Sequence, residues 1–400
     1  MAENLRDRTA GLSGDFDVAV HDTIRAVDRE AWDALAGDNV LAAHGWLLTV
    51  EATLAAPLRP KYFVTRHLGR LVAGAAGYHV PLTDTVETLD SLVLGRLRPG
   101  LVRLGVSLLP TFVIGPLAAY GCHLLVAPDL PPEAGEALCL VLLDAIEAES
   151  AGAGVAPAFV NVLATQPALI RSLEKRGYFL LRGVPLNILE VVWDSFEGYL
   201  HHLDTVSRGA RKDIRRQINR NRKRGTEITK LEDPRPHARR LHELLDLNSR
   251  RHNKTPFPFQ PDFFGALREN LGEDAVIHVA RKAGSITAVG VMLRRGTTAA
   301  LPMVGVDHDL AGNDFTYFNI AHFRPIEEAI AGRIRRMIFG RALYELKARR
   351  GCKVVDTFTA YRPSGRLTRA LVRFWFPCLS AWNRAKLPAR VRHAGKRTPA

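Results

Sequence analysis

Residues 61–80 read KYFVTRHLGRLVAGAAGYHV, and residues 275–295 read AVIHVARKAGSITAVGVMLRR. Both stretches alternate small and β-branched residues around a central Gly, which predicts two strands joined by a tight turn. Leu68-Gly69 and Ala283-Gly284 are the predicted turns. Five positions agree in size or identity at one constant offset, pairing Val64, Arg66, Gly69, Leu71 and Ala73 with Val279, Arg281, Gly284, Ile286 and Ala288.

A second pair of similar segments follows in the same order. LIRSLEKRGY (Leu169 to Tyr178) and LYELKARRGC (Leu343 to Cys352) each predict a helix that ends in a basic pair and a Gly. Two matches in one order indicate duplication. The sequence therefore predicts an α/β (α+β) fold of two tandem units, 16–190 and 191–376, each a mixed, mainly antiparallel sheet flanked by helices. Residues 1–15 are predicted to be disordered, and 377–400 to form a basic tail.

The net charge of +14 is unevenly distributed along the 400 residues. Residues 1–190 hold 15 basic and 21 acidic residues, whereas residues 191–400 hold 40 and 20. The second half is therefore expected to carry an anion-binding surface. The four Cys are widely spaced, which argues against a zinc site and a disulfide framework and indicates a reducing, cytoplasmic setting.

Two segments decide whether the sequence predicts a signal peptide or a transmembrane helix. The N-terminus is polar and acidic, so no signal peptide is expected. Leu104 to Pro128 lacks Asp, Glu, Lys and Arg but is interrupted by Pro110, Pro116 and several Gly. These breaks predict buried strands joined by turns rather than a transmembrane helix, although a peripheral membrane contact stays open.

The most basic segment lies between residues 208 and 224, where nine Lys or Arg accompany one acid, Asp213. Ala210, Ile214 and Ile218 recur every four residues, so a helix with one apolar stripe is predicted. Clustered Arg favours phosphate, because the planar guanidinium matches it bidentately. Arg211, Arg215 and Arg216 are the predicted clamp for donor phosphates, and the alternative is a solvated basic face.

Three motifs together resemble a known group of proteins. They are HGWLLTVE (44–51), WDSFEGYLHHL (193–203) followed by R-x-x-R-K-x-I-R-R (208–216), and GRALYELKARRG (340–351). With the duplicated element order, they resemble GNAT-type acyltransferases, in particular the tandem Fem-type and BioF2-like transferases of peptidoglycan biosynthesis type. The resemblance implies direct transfer of an acyl or aminoacyl group to a small-molecule or peptide amine. It implies no permanently bound cofactor, with acyl-CoA or aminoacyl-tRNA as co-substrate.

One loop departs from the GNAT pattern. GNAT enzymes hold the pyrophosphate of coenzyme A in an Arg/Gln-x-x-Gly-x-Gly/Ala loop, and the corresponding loop here is DHDLAGNDFTY, Asp307 to Tyr317. It is acidic and contains only Gly312. This departure favours a different donor, such as aminoacyl-tRNA, whose many phosphates also suit a basic helix.

Candidate site residues follow from position and from the resemblance. Fem-type enzymes place a Lys near the reacting acyl group, which implies a catalytic role for Lys347 beside Tyr344; the alternative is a surface Lys. Tyr361, with Asp356, is a candidate proton acceptor or part of a solvated turn. Trp46 and Glu51 either line an acceptor pocket or belong to the core. The His spacing indicates no metal site, and there is no Gly-x-Ser-x-Gly elbow.

Two functions of different classes remain open at this point. One is an N-acyltransferase or aminoacyltransferase, and the other is a non-catalytic, phosphate-binding scaffold for nucleic acid or a membrane surface. The enzyme predicts a cleft between the two halves, lined by Lys347, Tyr344 and the basic helix. The scaffold predicts that the Arg side chains lie on an open, convex face.

Overall fold

A computed structural model describes residues 16–55, 57–83, 88–115, 120–122, 124–252 and 254–387. The strands are β1 (Phe16–His21), β2 (Arg59–His67), β3 (Arg70–Val80), β4 (Thr111–Ile114), β5 (Leu125–Val126), β6 (Ala156–Leu163), β7 (Phe179–Arg182), β8 (Leu186–Glu190), β9 (Thr226–Lys230), β10 (Ala275–Lys282), β11 (Ser285–Arg295), β12 (Thr298–Val306), β13 (Arg336–Ile338), β14 (Lys353–Val355) and β15 (Thr357–Tyr361). They form two mixed sheets, which confirms the predicted fold class.

Helices cover both sheets. They are α1 (Arg29–Ala36), α2 (His44–Thr53), α3 (Leu89–Leu94), α4 (Arg98–Arg103), α5 (Pro132–Gly152), α6 (Pro167–Lys175), α7 (Phe196–Val206), α8 (Ala210–Lys223), α9 (Ala238–His252), α10 (Phe263–Leu271), α11 (His308–Ala311), α12 (Thr316–Phe318), α13 (Arg324–Ala331), α14 (Tyr344–Ala348) and α15 (Arg366–Ala385). A π-helical segment, Asn319–Phe323, joins α12 to α13.

The two predicted hairpins have the same register. In β2–β3, Val64 lies opposite Gly74, and in β10–β11 Val279 lies opposite Val289. A bulge interrupts each hairpin one pair later, directly before Arg66 and Arg281 respectively. Both residues of each turn have positive φ, which the two-residue turn requires and Gly supplies readily. The constant-offset repeat is therefore confirmed as a structural repeat.

Each sheet contains one strand from the other half of the chain. The first sheet has the order β1-β2-β3-β4-β6-β15-β7, with β5 paired to β3, and the second has the order β14-β8-β13-β12-β11-β10-β9. If the first sheet is counted from β1 and the second from β9, then β15 and β8 occupy the same position in their sheets. Each of the two strands is antiparallel to both of its neighbours. The sheets therefore exchange strands reciprocally, and their composition does not follow a division at residue 190.

One apolar cluster joins the two halves. Trp46 of α2 is fully buried against Phe259 and Phe263, at ring-centroid distances of 6.3 and 6.4 Å. Core residues of both hairpins, including Val64 and Val279, belong to the same cluster. Burial of these apolar side chains stabilises the association of the two halves, because each Å² of buried apolar surface contributes about 25 cal/mol to the free energy of unfolding. A backbone hydrogen bond of 2.8 Å from Ala55 to Pro258 adds a polar link.

Helix α3 begins after Thr88, where Thr88 and Ser91 form a capping box. The basic helix begins at Ala210 after Gly209, since α7 runs to Val206. One predicted boundary needs correction, because residues 377–385 continue helix α15 instead of starting a tail. The predictions for residues 1–15 and 388–400 fall outside the described residues.

The uncharged stretch contributes buried residues to the first sheet, as predicted. Phe112 and Ile114 of β4 are fully buried, whereas Leu104 at its start is exposed. Residues 116–119 and 123 lie outside the described part. Within the described ranges, no helix is both long enough and apolar enough to span a bilayer.

Candidate active site

A narrow cavity of ≈ 40 Å³ lies in the second sheet where two parallel strands separate. β12 pairs with β13 only over Thr298–Ala300 and Arg336–Ile338, and the later residues of β12 line the cavity instead. The π segment forms the opposite wall. Gly290 permits this close approach, because a Cβ there would lie 3.0 Å from the carbonyl oxygen of Ile320.

Lys347 lines this cavity from helix α14 and is 3% exposed. Its Nζ donates hydrogen bonds to the carbonyl oxygens of Phe339, at 2.8 Å, and Arg341, at 3.0 Å. Within the described residues it has no carboxylate partner. Burial lowers the pKa of Lys347 to about 8. The ammonium has three N–H donors, so one is left for a ligand in the cavity.

His322 lines the same cavity from the π segment and is 2% exposed. Its ring stacks on Phe339, with the ring centroids 5.0 Å apart, and its Nε2 has no hydrogen-bond partner in the described structure. Burial, and then the nearby charges of Arg350 and Lys347, lower the pKa of His322 well below its usual range. The imidazole is therefore neutral at pH 7 and keeps one nitrogen without a hydrogen-bond partner in the described structure.

Arg350 packs against the residues that form the wall of the cavity. It is 5% exposed, with its guanidinium 4.4 Å from the ring centroid of Phe318 and 4.7 Å from that of Phe323. Its Nη2 reaches Gln217 of α8 at 3.5 Å, and burial lowers the pKa of Arg350 to about 10. Arg350 thus connects the basic helix to the wall that carries His322.

The loop between β13 and α14 is held in an uncommon conformation. Ala342 and Leu343 have φ of 66° and 55°, values that non-glycine residues adopt rarely and that concentrate at functional sites. Asn187 donates to the carbonyl oxygen of Gly340 at 2.8 Å, and Arg341 donates to Asn161 at 2.6 Å. The first half of the chain therefore fixes the loop whose carbonyls hold Lys347.

Carboxylates occupy the loop from Asp307 to Tyr317, which the resemblance equates with the GNAT pyrophosphate loop. Asp314 is 1% exposed and accepts hydrogen bonds from Thr226, from the hydroxyl and backbone N–H of Thr316, and from Lys282. Asp307 caps α11 and pairs with Arg240 at 2.8 Å. The backbone N–H at the start of α12 is thus already bonded, and the fixed negative charge opposes a pyrophosphate there.

The three Arg residues of the predicted clamp lie together around an open groove of ≈ 390 Å³ on α8. Arg211 and Arg215 both pair with Glu197 of α7, at 2.7 and 2.6 Å, and Arg216 pairs with Asp213 at 2.6 Å. Lys212 also lines the groove. The predicted stripe holds too, since Ile214 is buried while Ala210 and Ile218 pack against the same cluster.

The other predicted residues are not among those that line the cavity of Lys347. Tyr344 is half-buried and donates its hydroxyl hydrogen to the carbonyl oxygen of Pro185 at 2.8 Å, next to the exchanged strand β8. Tyr361 is buried in the first sheet, where burial raises its pKa to about 12. Asp356 pairs with Arg182 at 2.6 Å. Tyr344 and Asp356 therefore have structural partners, and Tyr361 belongs to a core.

Trp46 and Glu51 also have structural partners. Trp46 lies in the shared core, and Glu51 accepts hydrogen bonds from the Thr23 hydroxyl and from the backbone N–H of Ile24. The sequence did not predict that His322 and Arg350 belong to the site, because a single His or Arg gives no periodic signal. Their surroundings form only when the π segment and α14 pack together. Across the described ranges, no group of three or more His, Cys, Asp or Glu could hold a metal ion.

Comparison with known proteins agrees with this architecture. A family model described as an acetyltransferase (GNAT) domain matches residues 208–348, which include the basic helix, the cavity and Lys347. No curated protein matches the chain.

Solved structures share the fold over most of the chain. FemX is similar with a TM-score of 0.57 and 10% identity, covering 89% of this chain and 100% of its own. A conserved protein of unknown function from Bacteroides thetaiotaomicron has a TM-score of 0.54 and 12% identity, covering 87% and 100%. The C-terminal domain of an Agrobacterium fabrum protein named as a lysylphosphatidylglycerol synthetase has a TM-score of 0.51 and 14% identity, covering 87% and 95%.

These similarities have different weight. At such low identity the structural likeness establishes the fold alone. Residues 208–348 match the acetyltransferase (GNAT) domain model, and the chain as a whole shares a tandem GNAT-like fold with FemX.

Proposed function

We propose that the chain transfers an acyl or aminoacyl group to an amine in the cavity between β12 and the π segment. The observation that carries this proposal is that Lys347 and His322, both buried and titratable, line one cavity without a carboxylate partner in the described structure. Buried groups with shifted pKa values concentrate at reaction sites. A non-catalytic scaffold does not need either group to be desolvated.

The reaction proceeds by direct attack of the amine on the carbonyl carbon of the donor. A C–N bond forms, and the thioester or ester bond of the donor breaks after a tetrahedral intermediate. Lys347 donates its third N–H to the oxygen that becomes negative, and a preorganised donor of this kind acts mainly on the transition state. No residue forms a covalent intermediate.

Proton transfer completes the exchange. The attacking nitrogen becomes acidic once the new bond forms, and we assign its proton to the free Nε2 of His322. The imidazole is neutral at pH 7 because its pKa is lowered, so it can accept that proton. The protonated His322 then gives this proton to the departing thiolate or alkoxide, which restores the neutral imidazole and balances the charge.

The donor we favour is aminoacyl-tRNA, with acyl-CoA as the alternative. Asp307 and Asp314 oppose a pyrophosphate in the loop that GNAT enzymes use, while Arg211, Arg215 and Arg216 line an open groove suited to an extended polyanion. We also propose a BioF2-like acceptor class, a small-molecule or peptide amine, and a cytoplasmic location. The non-catalytic scaffold remains the second candidate, since the Arg residues lie on an open face.

The test uses the full chain with panels of acyl-CoAs and charged tRNAs and with pooled amine acceptors. Release of free thiol or of deacylated tRNA, together with a matching mass increase on an acceptor, is the expected result. The Lys347→Met variant should bind the same donor but turn it over slowly. Binding of a donor without turnover under all conditions would favour the scaffold over the enzyme.

A further inference from the structure

The last described helix, α15, has two apolar faces. Its inner face packs on the first sheet through Val372 and Phe376, and Trp375 donates to the carbonyl oxygen of Val93 at 2.9 Å. Ser380 and Asn383 fix it to the backbone of Arg182 on edge strand β7. The helix is therefore firmly seated, and what its outer face presents is fixed as well.

The outer face is apolar over the length of the helix. Leu367 is 89%, Phe374 81% and Trp382 59% exposed. With about 100° per residue, the positions within about 60° of Phe374 are all apolar. They are Leu367, Ala370, Leu371, Pro377, Cys378, Ala381 and Ala385, and Trp382 borders them on one side. A soluble helix usually directs charged residues outward, so this continuous exposed stripe requires a partner.

Cations border this stripe, and acids do not. Arg366, Arg373 and Arg384 lie along one side of it, all exposed, and Lys386 follows the end of the helix. Asp356 is the last acidic residue of the chain, so nothing in the sequence of α15 offsets these charges. The basic side chains can reach outward while their stems cover apolar surface.

An apolar stripe bordered by cations fits some binding partners better than others. A second copy of α15 would bring the same cations together, and like charges repel. Nucleic acid would satisfy the cations but offers no apolar layer for a stripe of Leu, Phe and Trp. An anionic bilayer surface provides both, since acidic headgroups lie directly above acyl chains.

We propose that α15 is an interfacial helix that docks the protein on anionic membranes, with Leu367, Phe374 and Trp382 inserted below the headgroups. The Arg residues beside the stripe contact the headgroup phosphates. This function is independent of the acyl transfer proposed above, and it would place the enzyme next to acceptors held in the membrane.

The experiment is sedimentation of the full chain with vesicles of phosphatidylcholine alone or mixed with phosphatidylglycerol. Wild type should bind the mixed vesicles, less so at high salt, and the fluorescence of Trp382 should be quenched by brominated acyl chains. The double variant Leu367→Glu/Phe374→Glu should lose at least about tenfold in partitioning, because two exposed apolar side chains no longer insert. Leu247→Glu is the matched control, an exposed Leu on another helix, and should bind as wild type.

Three results would overturn the proposal. One is equal partitioning of wild type and the double variant while both keep the same circular dichroism spectrum and melting temperature. Another is a concentration-dependent dimer that the double variant abolishes in the absence of vesicle binding. The third is tight binding of RNA, but not of mixed vesicles, that depends on Arg366, Arg373 and Arg384.

Discussion

The Nζ of Lys347 lies 2.8 Å from the carbonyl oxygen of Phe339, and the ring of Phe339 stacks on His322. One residue at the end of β13 therefore positions both titratable groups of the cavity. The loop that follows Phe339 is in turn held by Asn161 and Asn187 of the first half. The second unit supplies both titratable groups of the cavity, and the first unit fixes the loop beside them.

Replacing Lys347 by Met should lower kcat by about 10²–10³-fold while changing donor affinity little, because a donor to the developing oxyanion acts mainly in the transition state. Lys353→Met is the control, since Lys353 lies on the adjacent strand β14 with an exposed side chain. Steady-state kinetics with the donor found in the panel provide the measurement. A Lys347→Met enzyme with unchanged kcat would remove Lys347 from the reaction.

The pH dependence of kcat should have a basic limb near the pKa of Lys347, about 8. Activity requires the protonated ammonium, so kcat falls as pH rises through this value. Lys347→Arg should weaken or move this limb upward, because a guanidinium stays charged. If the limb is the same in both proteins, it belongs to another group.

The contribution of Lys347 to the free energy of unfolding should rise with pH between about 8 and 10.5, whereas kcat falls as pH rises through about 8. The unfolded Lys binds a proton up to its usual pKa of 10.5, and the folded one only to about 8. Between these values the unfolded state holds more protons, so the contribution of Lys347 to the free energy of unfolding rises with pH. Denaturant titrations of wild type and Lys347→Met at several pH values would isolate this contribution as a growing difference.

His322 makes a prediction at low pH. Burial lowers its pKa well below 6.5, so the unfolded chain binds this proton first and stability is lost as pH falls through about 6.5. His322→Gln should remove that part of the loss and lower kcat, while leaving donor affinity unchanged. Arg350→Gln should raise the pKa of His322, because the Arg350 charge contributes to lowering it. NMR titration of the His322 ring checks the second effect.

The reciprocal strand exchange makes a prediction about fragments. A fragment that begins at residue 191 lacks β8, whose Leu189 is fully buried in the core of the second sheet. It should fail to fold, since β13 and β14 both pair with β8. The full chain with Leu189→Ala should fold with about 2–5 kcal/mol lower stability. A well-dispersed NMR spectrum from the fragment 191–387 would show that the exchange is dispensable.

The repeated hairpins and most helices could be predicted from the sequence because their signals are local. Turn glycines and apolar periodicity lie within about ten residues of one another, and the same offset relates Val64 to Val279. The exchange of β8 and β15 has no such signal, since it depends on which edge each short strand reaches. Lys347 was identified by resemblance, whereas His322 becomes notable only through burial against Phe339 and the cavity.

The basic groove yields the prediction that distinguishes the two donors. Arg215 is exposed, Arg211 is half-buried, and both share Glu197, so each contact with a donor phosphate is worth less than a fully buried one, about 1 kcal/mol or below. The double variant Arg211→Ala/Arg215→Ala should therefore weaken donor binding by about tenfold, and Glu197→Ala should strengthen it by freeing both side chains. Arg239→Ala is the control, because the side chain of Arg239 is 92% exposed on another helix.

If the donor is tRNA, the logarithm of its affinity should fall steeply with the logarithm of salt concentration, and the double variant should have a shallower slope because fewer counterions are released. A coenzyme A donor would give a shallow slope in both proteins. Donor affinity that is the same in wild type, the double variant and Glu197→Ala at every salt concentration would show that the groove does not bind the donor.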